Sequence, residues 1–527
     1  MRPLHWRPPV ALSPAEAAIV GRIRRAKLFI FLRQVRHEVF DDAFQAELAT
    51  LYRDSPRGQP PVPPAQLALA TLLQAYVGCS DDEVIEATTM DRRWQLVLDC
   101  LDAQTPPFSK GTLVAFRQRL IGATLDRRLI ERTIELAERR GGVGPRQVRA
   151  ALDSSPLWGV GRVEDTYNLM GHALRKALGV IARQQGRELA SVAAAAGADL
   201  VGGASLKAAL DVDWDDPTAH ETALQRVLGT LEAVEGWLAG QDTQDEEQAM
   251  AALSIVHEVV RQDVVVPPSG APTLRQGVAS DRRISVEDGE MRHGRKSRSR
   301  LVDGYKRHIL RDLDRGLVRA VGVTPANVPE ATVTDDIAVD LARQAVHLTE
   351  LAIDRAYLSS RLVRERPPDL AISCKAWPVR EGAHFAKTAF TLDWVAQTIR
   401  CPGDAVIPFA CGETVKFPAA TCAACVVRER CTTSASGRSV SIHPDERLLA
   451  ELRARQQTPA GRAKLRERVA VEHSLAHIGH WQGARARYVG LRKNLFDLRR
   501  CAVVHNLHVV ARLPAPDPTS PAQDLAA

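Results

Sequence analysis

Two short apolar runs that read as β-strands, one closing on Asp153 and the other on Asp354, are separated by a long stretch of helical character. A lone strand leaves its backbone groups unpaired and its apolar face uncovered. The chain must therefore assemble a sheet across a large insertion, and this constrains its fold more than any other feature. Residues 304–327 (GYKRHILRDLDRGLVRAVGVTPAN) add two β-like runs around a turn at Asp314–Gly316. A helix follows, with Pro329 near its start, and DLAISCKA is a further strand.

The flanks are helical. From residue 14 to about 142 no convincing strand appears, and Ser13, with Glu16 three residues on, predicts an N-cap. Residues 165–262 are rich in Ala, Leu and Glu. Residues 263–303 are a polar, Arg-rich connection, and 444–513 read as helix again. Strands alternating with helices predict an α/β core, in an order that matches an RNase H-like core interrupted twice.

The length of 527 residues suggests about three units at roughly 150 residues each. Hydrophobic content of 45% and charged content of 25% exclude large-scale disorder. A net charge of +7 favours a polyanionic partner. The opening MRPLHWRPPVALSP has no apolar h-region, so no secretory signal is expected. No run of about 18 apolar residues predicts a membrane span, and the stretch near Ala193 is too short and Gly-rich. Of nine cysteines, Cys79, Cys100, Cys374 and Cys501 are scattered and five fall between Cys401 and Cys431. That spacing predicts one local cysteine site in a cytoplasmic protein rather than a disulfide framework.

Asp153 and Asp354 stand where α/β sheets build sites, at strand ends, although an Asp there is often only a cap or turn residue. Leu465, Val469, Glu472 and Ala476 follow one helical stripe, so Glu472 is expected to face the core side. A carboxylate there needs a cation, supplied either by a metal or by Arg468 one turn back. Together, two Asp and one Glu suit Mg²⁺, which prefers hard oxygen ligands. A pair of such ions about 4 Å apart can activate water or a 3′-hydroxyl against a phosphodiester. No GxxxxGK[ST] loop occurs, so joining would draw on the DNA phosphodiester and not on ATP.

The blocks ALDSSP, LAIDRAYLSS and RERVAVEHSLAHIGHWQGARARYVGLRKNLFDLRRCAVVHNL resemble those of bacterial insertion-sequence transposases with a DDE triad. The runs MRHGRKSRSRLVDGYKRHIL and PPVPPAQLALATLLQAYVGCSDDEVIEATTMDRRWQLVL resemble the same family. The likeness is to insertion-sequence family eleven-eighty-two, with an InsH-like N-terminal domain, over about residues 25–510. It implies a DDE transposase with Asp153, Asp354 and Glu472 as catalytic residues holding Mg²⁺ in a two-metal site. The family pattern sets Tyr before the Arg and Lys after the Glu. Here Leu465 stands at the Tyr position and Gly479 at the Lys position. His477 or His480 is a candidate to replace the lost polar contact to DNA.

Cys422 and Cys425 form a CxxC, Cys431 follows, and Cys401 can close a Cys₄ set suited to a structural Zn²⁺. The alternative is a reduced, unliganded cluster, and Cys411 is a spare candidate. The resembled group often carries such a cluster. Dense basic runs at GRKSRSR and ARARYVGLRKNLFDLRR flank Glu472 or precede it. The second reads as an amphipathic helix with a cationic face. Lys296, Arg468, Arg485, Arg487, Arg492 and Lys493 are the expected DNA contacts, since carboxylates repel DNA unless nearby cations neutralise phosphates. RIRRAKLFIFLRQVRHEVF is a weaker candidate for recognising terminal repeats, or simply a packed helix.

The expected organisation is a helical N-terminal domain for DNA binding or assembly at 1–142 and a first core segment at 143–164. A mainly helical insertion and basic connection then spans 165–300, a second core segment 301–380 and a cysteine-rich, zinc-ribbon-like insertion 381–440. The C-terminal helical part of the core spans 441–513, before a disordered tail at 514–527. The expected function is metal-dependent cleavage of insertion-sequence ends and 3′-hydroxyl strand transfer into target DNA. The partners are terminal inverted repeats, target DNA and a second copy of the chain, in the bacterial cytoplasm at the nucleoid. The alternatives are a non-catalytic DNA-binding derivative and a nuclease without strand transfer.

Overall fold

The computed structural model describes residues 2–54, 59–141, 147–203, 205–241, 246–268, 270–296, 299–379 and 382–513; the tail at 514–527 and the predicted boundary at 142 lie outside them. The N-terminal stretch folds as α1 (Pro14–Arg22), α2 (Lys27–Val39), α3 (Asp42–Ala49), α4 (Pro64–Val77), α5 (Asp81–Met90), α6 (Arg92–Leu98), α7 (Lys110–Gly122) and α8 (Asp126–Gly141). Local sequence sets their ends. The Ser13 hydroxyl accepts from the Glu16 backbone N–H and the Glu16 carboxylate accepts from that of Ser13, and Ser80 with Glu83 repeats this box at α5.

After β1 (Gln147–Trp158) the chain leaves the sheet for α9 (Thr166–Gln185), α10 (Leu189–Ala195), α11 (Leu206–Leu210), α12 (Pro217–Leu238) and α13 (Glu246–Asp263). These helices close on a hydrophobic core of their own, built on Leu174, Leu178, Val227 and Val256 among others. A small ladder, β2 (Val264–Val265) with β3 (Thr273–Leu274), leads back to β4 (Arg292–Arg295), β5 (Leu301–Asp312) and β6 (Val318–Pro325). Then come α14 (Thr334–Arg343), β7 (His347–Ile353), α15 (Arg361–Arg364) and β8 (Ala371–Ser373). β5 is antiparallel to β1 on one edge and to β6 and β4 on the other. β7 runs parallel to β1, and β8 parallel to β7. The result is a mixed sheet with β1 near its centre.

Two readings need correction. β1 does not end at Asp153 but runs on to Trp158, because its pairing with β5 continues to Trp158 opposite Gly304. Its parallel pairing with β7 stops earlier, at Leu152 opposite Ile353. Asp153 and Asp354 are therefore each the first residue past the last parallel pair. Nor is 263–303 only a connection, since β4 within it joins the sheet. A Cβ on Gly294 would stand 2.1 Å from the Ala326 carbonyl oxygen, so this strand needs glycine there.

The cysteine-rich segment contains β9 (Thr391–Asp393), β10 (Thr398–Arg400), β11 (Val406–Pro408), β12 (Thr414–Lys416), α16 (Ala419–Ala423), α17 (Arg428–Cys431) and β13 (Ser439–Ser441). They surround a small core that includes Ile399, Phe417 and Ile442. The chain ends with α18 (Glu446–Gln457), α19 (Pro459–Glu467), α20 (Val469–Gln482) and α21 (Leu491–Val510).

Side chains alternate across the sheet. Ala150, Leu152, Leu310, Leu351 and Ile353 face a core closed by α14 and α18. Ala151, Ile309 and Ala352 face the other way, into a core that α20, α21 and the N-terminal helices share. The run 484–500 is not the single amphipathic helix expected: its first part is non-helical, and in α21 Arg499 and Arg500 are buried. Arg492 and Arg499 donate to Asp126, which opens α8 and has no exposure. The 22–40 run divides: Arg22, Arg24, Arg25 and Lys27 are exposed, whereas Arg33 pairs with Glu16 and Arg36 donates to the Leu96 and Val97 carbonyls. Among the described residues no helix is long and apolar enough to cross a membrane.

Candidate active site

Alternation along the strands decides which side chains meet. Asp153 and Ser155 share a face of β1 with Ala151, and α20 packs across that face. Asp354 follows Ile353 in register with Asp153, and its carboxylate caps a short 3₁₀ turn by accepting from the Arg355 N–H at 2.7 Å. α20 brings Glu472 over the same ground in its first turn. The three carboxylates line one cleft of about 660 Å³, together with Lys296, Lys306, Arg307 and Arg468.

The electrostatics agree with the geometry. Burial pushes the Asp153 carboxyl above the usual carboxylate range, and the charges of Asp354 and Glu472 push the same way. Arg468 and the Ser154 backbone N–H oppose that shift. Arg468 joins the site: Nη1 donates to Asp153 Oδ2, and Nη2 to Glu472 Oε1 at 2.9 Å. The expectation that Glu472 faces the core needs correction. Its side chain is 50% exposed, and the buried side of α20 carries Val471, Ser474, Leu475 and Ile478 instead. Leu465 lies on α19, so the proposed stripe crosses two helices, and of its residues Glu472 and Ala476 line the cleft.

A fourth carboxylate, Glu330, also lines the cleft, beside Lys306. Asp153, Asp354 and Glu472, with the Arg468 guanidinium between two of them, present oxygen donors of the hard type that Mg²⁺ takes. Among the described residues no three or more His, Cys, Asp and Glu already close around a point where an ion would sit. Arg468 stands in the way, and it would have to release Asp153 and Glu472. The donor type fits Mg²⁺, and two of the three carboxylates are held by Arg468 in this structure.

Of the expected DNA contacts, Lys296 lines the cleft and Lys493 is exposed. Arg485 is also exposed and donates to the Gly159 carbonyl at 3.0 Å. Arg487 turns inward to the Cys79 carbonyl and Arg492 to Asp126. Both tie the C-terminal segment to the N-terminal helices, so their cationic groups are engaged within the protein. His477 does not reach the cleft: it meets His505 at 2.9 Å and packs on Trp481 and His508. His480 is exposed beside Trp481. Arg307 was not legible as a site residue from its run alone. The signal was the period of two along β5, which sets it on the Ile309 face.

Behind the cleft, buried His308 bonds Tyr357 Oη at 2.8 Å and Thr324 Oγ1 at 2.9 Å. Burial pulls its pKa down to about 3, and those of His505 and His508 to about 4. A histidine with a depressed folded pKa binds fewer protons folded than unfolded. Its contribution is complete above the unfolded value near 6.5 and is lost as pH falls toward the folded value. Acidification from pH 7 to 4.5 is expected to cost on the order of 2 kcal/mol at fully buried His308, and less at partly buried His508. Denaturant melts of wild type and His308→Gln across this range check it; parallel pH dependences would remove His308 from the account.

In the cysteine-rich segment, Cys401, Cys422, Cys425 and Cys431 line one cavity of about 280 Å³, and Cys411 does not. All are free thiols. A Cβ on Gly403 would stand 2.6 Å from Cys425 Sγ and 3.8 Å from Cys401 Sγ, so this glycine leaves room for both. The Cys431 thiol is pushed up by burial, with the other three thiols adding to the shift. Four convergent thiols are the donor type that Zn²⁺ takes, although they too are not closed around an ion position.

Comparison with known families gives three matches along the chain. Residues 22–119 match the family described as "Transposase domain (DUF772)". Residues 262–392, which hold Asp354, and residues 410–511, which hold Glu472, match two families each described as "Transposase DDE domain". No curated protein and no solved structure gave a match.

Proposed function

This chain belongs to the insertion-sequence DDE transposases, and from that premise we propose that Asp153, Asp354 and Glu472 are the carboxylates at which it cuts and joins DNA. What supports this reading is their meeting in one cleft, close enough that two of them raise the pKa of the third. They would hold divalent metal, with Mg²⁺ the ion that the oxygen donors favour. When bound there, two Mg²⁺ ions would supply Lewis acidity toward both the attacking and the leaving oxygen of a phosphodiester.

The protein's own residues do the rest. Arg468 neutralises Asp153 and Glu472; if these carboxylates held metal instead, its guanidinium would be available to a DNA phosphate. Lys296, Arg485 and Lys493 offset the carboxylates' repulsion of the backbone. Water attack at each element end frees a 3′-hydroxyl, which then attacks target DNA. The N-terminal helices recognise the terminal repeats or assemble a dimer, since both ends must be held at once. The site of action is the bacterial nucleoid, and the sequence blocks favour family eleven-eighty-two.

The test is a labelled duplex carrying the element's native flank, incubated with Mg²⁺ and a target plasmid. Label joined to the plasmid supports strand transfer. Nicking without joining would leave a nuclease, and tight binding without nicking a DNA-binding derivative.

The cysteine quartet is proposed as a structural Zn²⁺ site stapling a segment with a small apolar core. Elemental analysis of the purified protein is expected to give about one zinc per chain, lost in Cys422→Ser/Cys425→Ser. A zinc-free wild type with the same melting curve would end this proposal.

A further inference from the structure

Arg307 is buried in the wall of the carboxylate cleft, yet no Asp or Glu lies within ion-pair distance of it among the described residues. Its guanidinium is held by neutral acceptors only. Nε donates to Ser155 Oγ at 2.7 Å, and Nη1 donates to Gln482 Oε1 at 3.0 Å and to the Gly483 carbonyl at 2.9 Å. Nη2 has no hydrogen-bond partner among the described residues. A buried cation without a counter-ion is costly, and three hydrogen bonds that fix its orientation do not supply the missing charge.

The space it fills is set by Gly479. A Cβ there would stand 3.1 Å from Arg307 Nη2 and 3.6 Å from Cζ. Gly479 is two turns along α20 from Glu472, where the resembled pattern carries a lysine. The helix thus has no side chain at the position, and a strand residue brings its guanidinium into the same place. Ser155 lies two residues beyond Asp153 on β1 and is paired with Arg307 in register, so one strand pair positions both the carboxylate and the cation.

We propose that Arg307 is the phosphate-binding cation of this site, supplied from β5 in place of a helix residue and accommodated by Gly479. Its ligand is a DNA backbone phosphate beside the one under attack. This rests on the transposase reading above. An arginine keeps its charge even where burial pushes its pKa down, as it does here, and its fork suits a phosphate oxygen pair.

The experiment measures binding of the full chain to a mixed-sequence DNA duplex in EDTA, over a range of salt, beside a nicking assay in Mg²⁺. Each neutralised phosphate contributes roughly 0.9 to the slope of log K against log salt. Arg307→Gln is expected to lower the slope by about that amount and weaken binding roughly tenfold, while Arg307→Lys keeps the slope. Gly479→Leu, a good helix former, is expected to displace the guanidinium and lose slope as well. It carries the test if Arg307→Gln does not fold. An unchanged slope in either variant, at a wild-type melting temperature, overturns the assignment. Wild type that nicks DNA while Arg307→Gln keeps its slope defeats this inference alone. Wild type that neither binds nor nicks defeats the transposase reading and this one with it.

Discussion

Glu472→Ala is expected to reduce Mg²⁺-dependent nicking of a native element end by at least about 10²–10³-fold, the range for removing one preorganised electrostatic group, while binding to the same DNA persists. Glu472 is half exposed in the first turn of α20, and its contact is with Arg468 rather than with the core. Truncation therefore opens no cavity, and the melting temperature is expected to stay close to wild type. What it removes is the one carboxylate contributed by a helix. Asp153→Asn is expected to lose nicking to a similar degree for a different reason. Its amide keeps the volume and the bond from Ser154 but not the charge. Equal nicking by wild type and Glu472→Ala would take Glu472 out of the site, and with it most of the mechanism.

A second large effect is expected far from the cleft. Asp126 is fully buried at the start of α8 and accepts from Arg492 and Arg499 on α21. Removing one member of a buried ion cluster leaves the others uncompensated, at a cost of about 3–5 kcal/mol. Asp126→Ala is therefore expected to lower the unfolding free energy by about that amount, measured by urea denaturation. The Asp126→Ala/Arg499→Met double variant should recover part of the loss, because it also removes a stranded charge. A single variant within about 1 kcal/mol of wild type would show that α21 and α8 are not held together by this cluster.

These two cases also show what the sequence could and could not disclose. The alternation of strands and helices and the cap at Ser13 were legible because each follows a local rule of period or capping; the cap at Ser80 was not read, and Asp153 stands within β1 rather than at its end. Cys401, Cys422, Cys425 and Cys431 were separable from Cys411 by spacing, and they do share a cavity. The cationic run at 484–500 misled. A positive charge reads as solvent-facing until its partner is known, and the partners of Arg492 and Arg499 lie in α8, at the opposite end of the chain. Glu472 was placed on the wrong side of its helix for a related reason. Apolar neighbours such as Val469 suggest a core in the sequence, whereas Val469 is 43% exposed. For Arg307 the period of two along β5 gives its face, but its place beside Ser155 needed the register of β1 with β5.

The order of the strands also has a consequence for how the protein is made. β1 leaves the ribosome with neither neighbour, since β5 and β7 follow only after α9–α13. Synthesis proceeds at roughly 5–20 residues per second, so the central strand waits for its partners on the order of ten seconds. During that interval the α9–α13 helices, with a core of their own, can already close. The sheet completes only once β7 and β8 emerge, and Glu472 arrives last of all. A nascent or prematurely ended chain therefore carries Asp153 without the other two carboxylates proposed to act with it. The capacity to break DNA would be withheld until translation is almost finished, by topology alone.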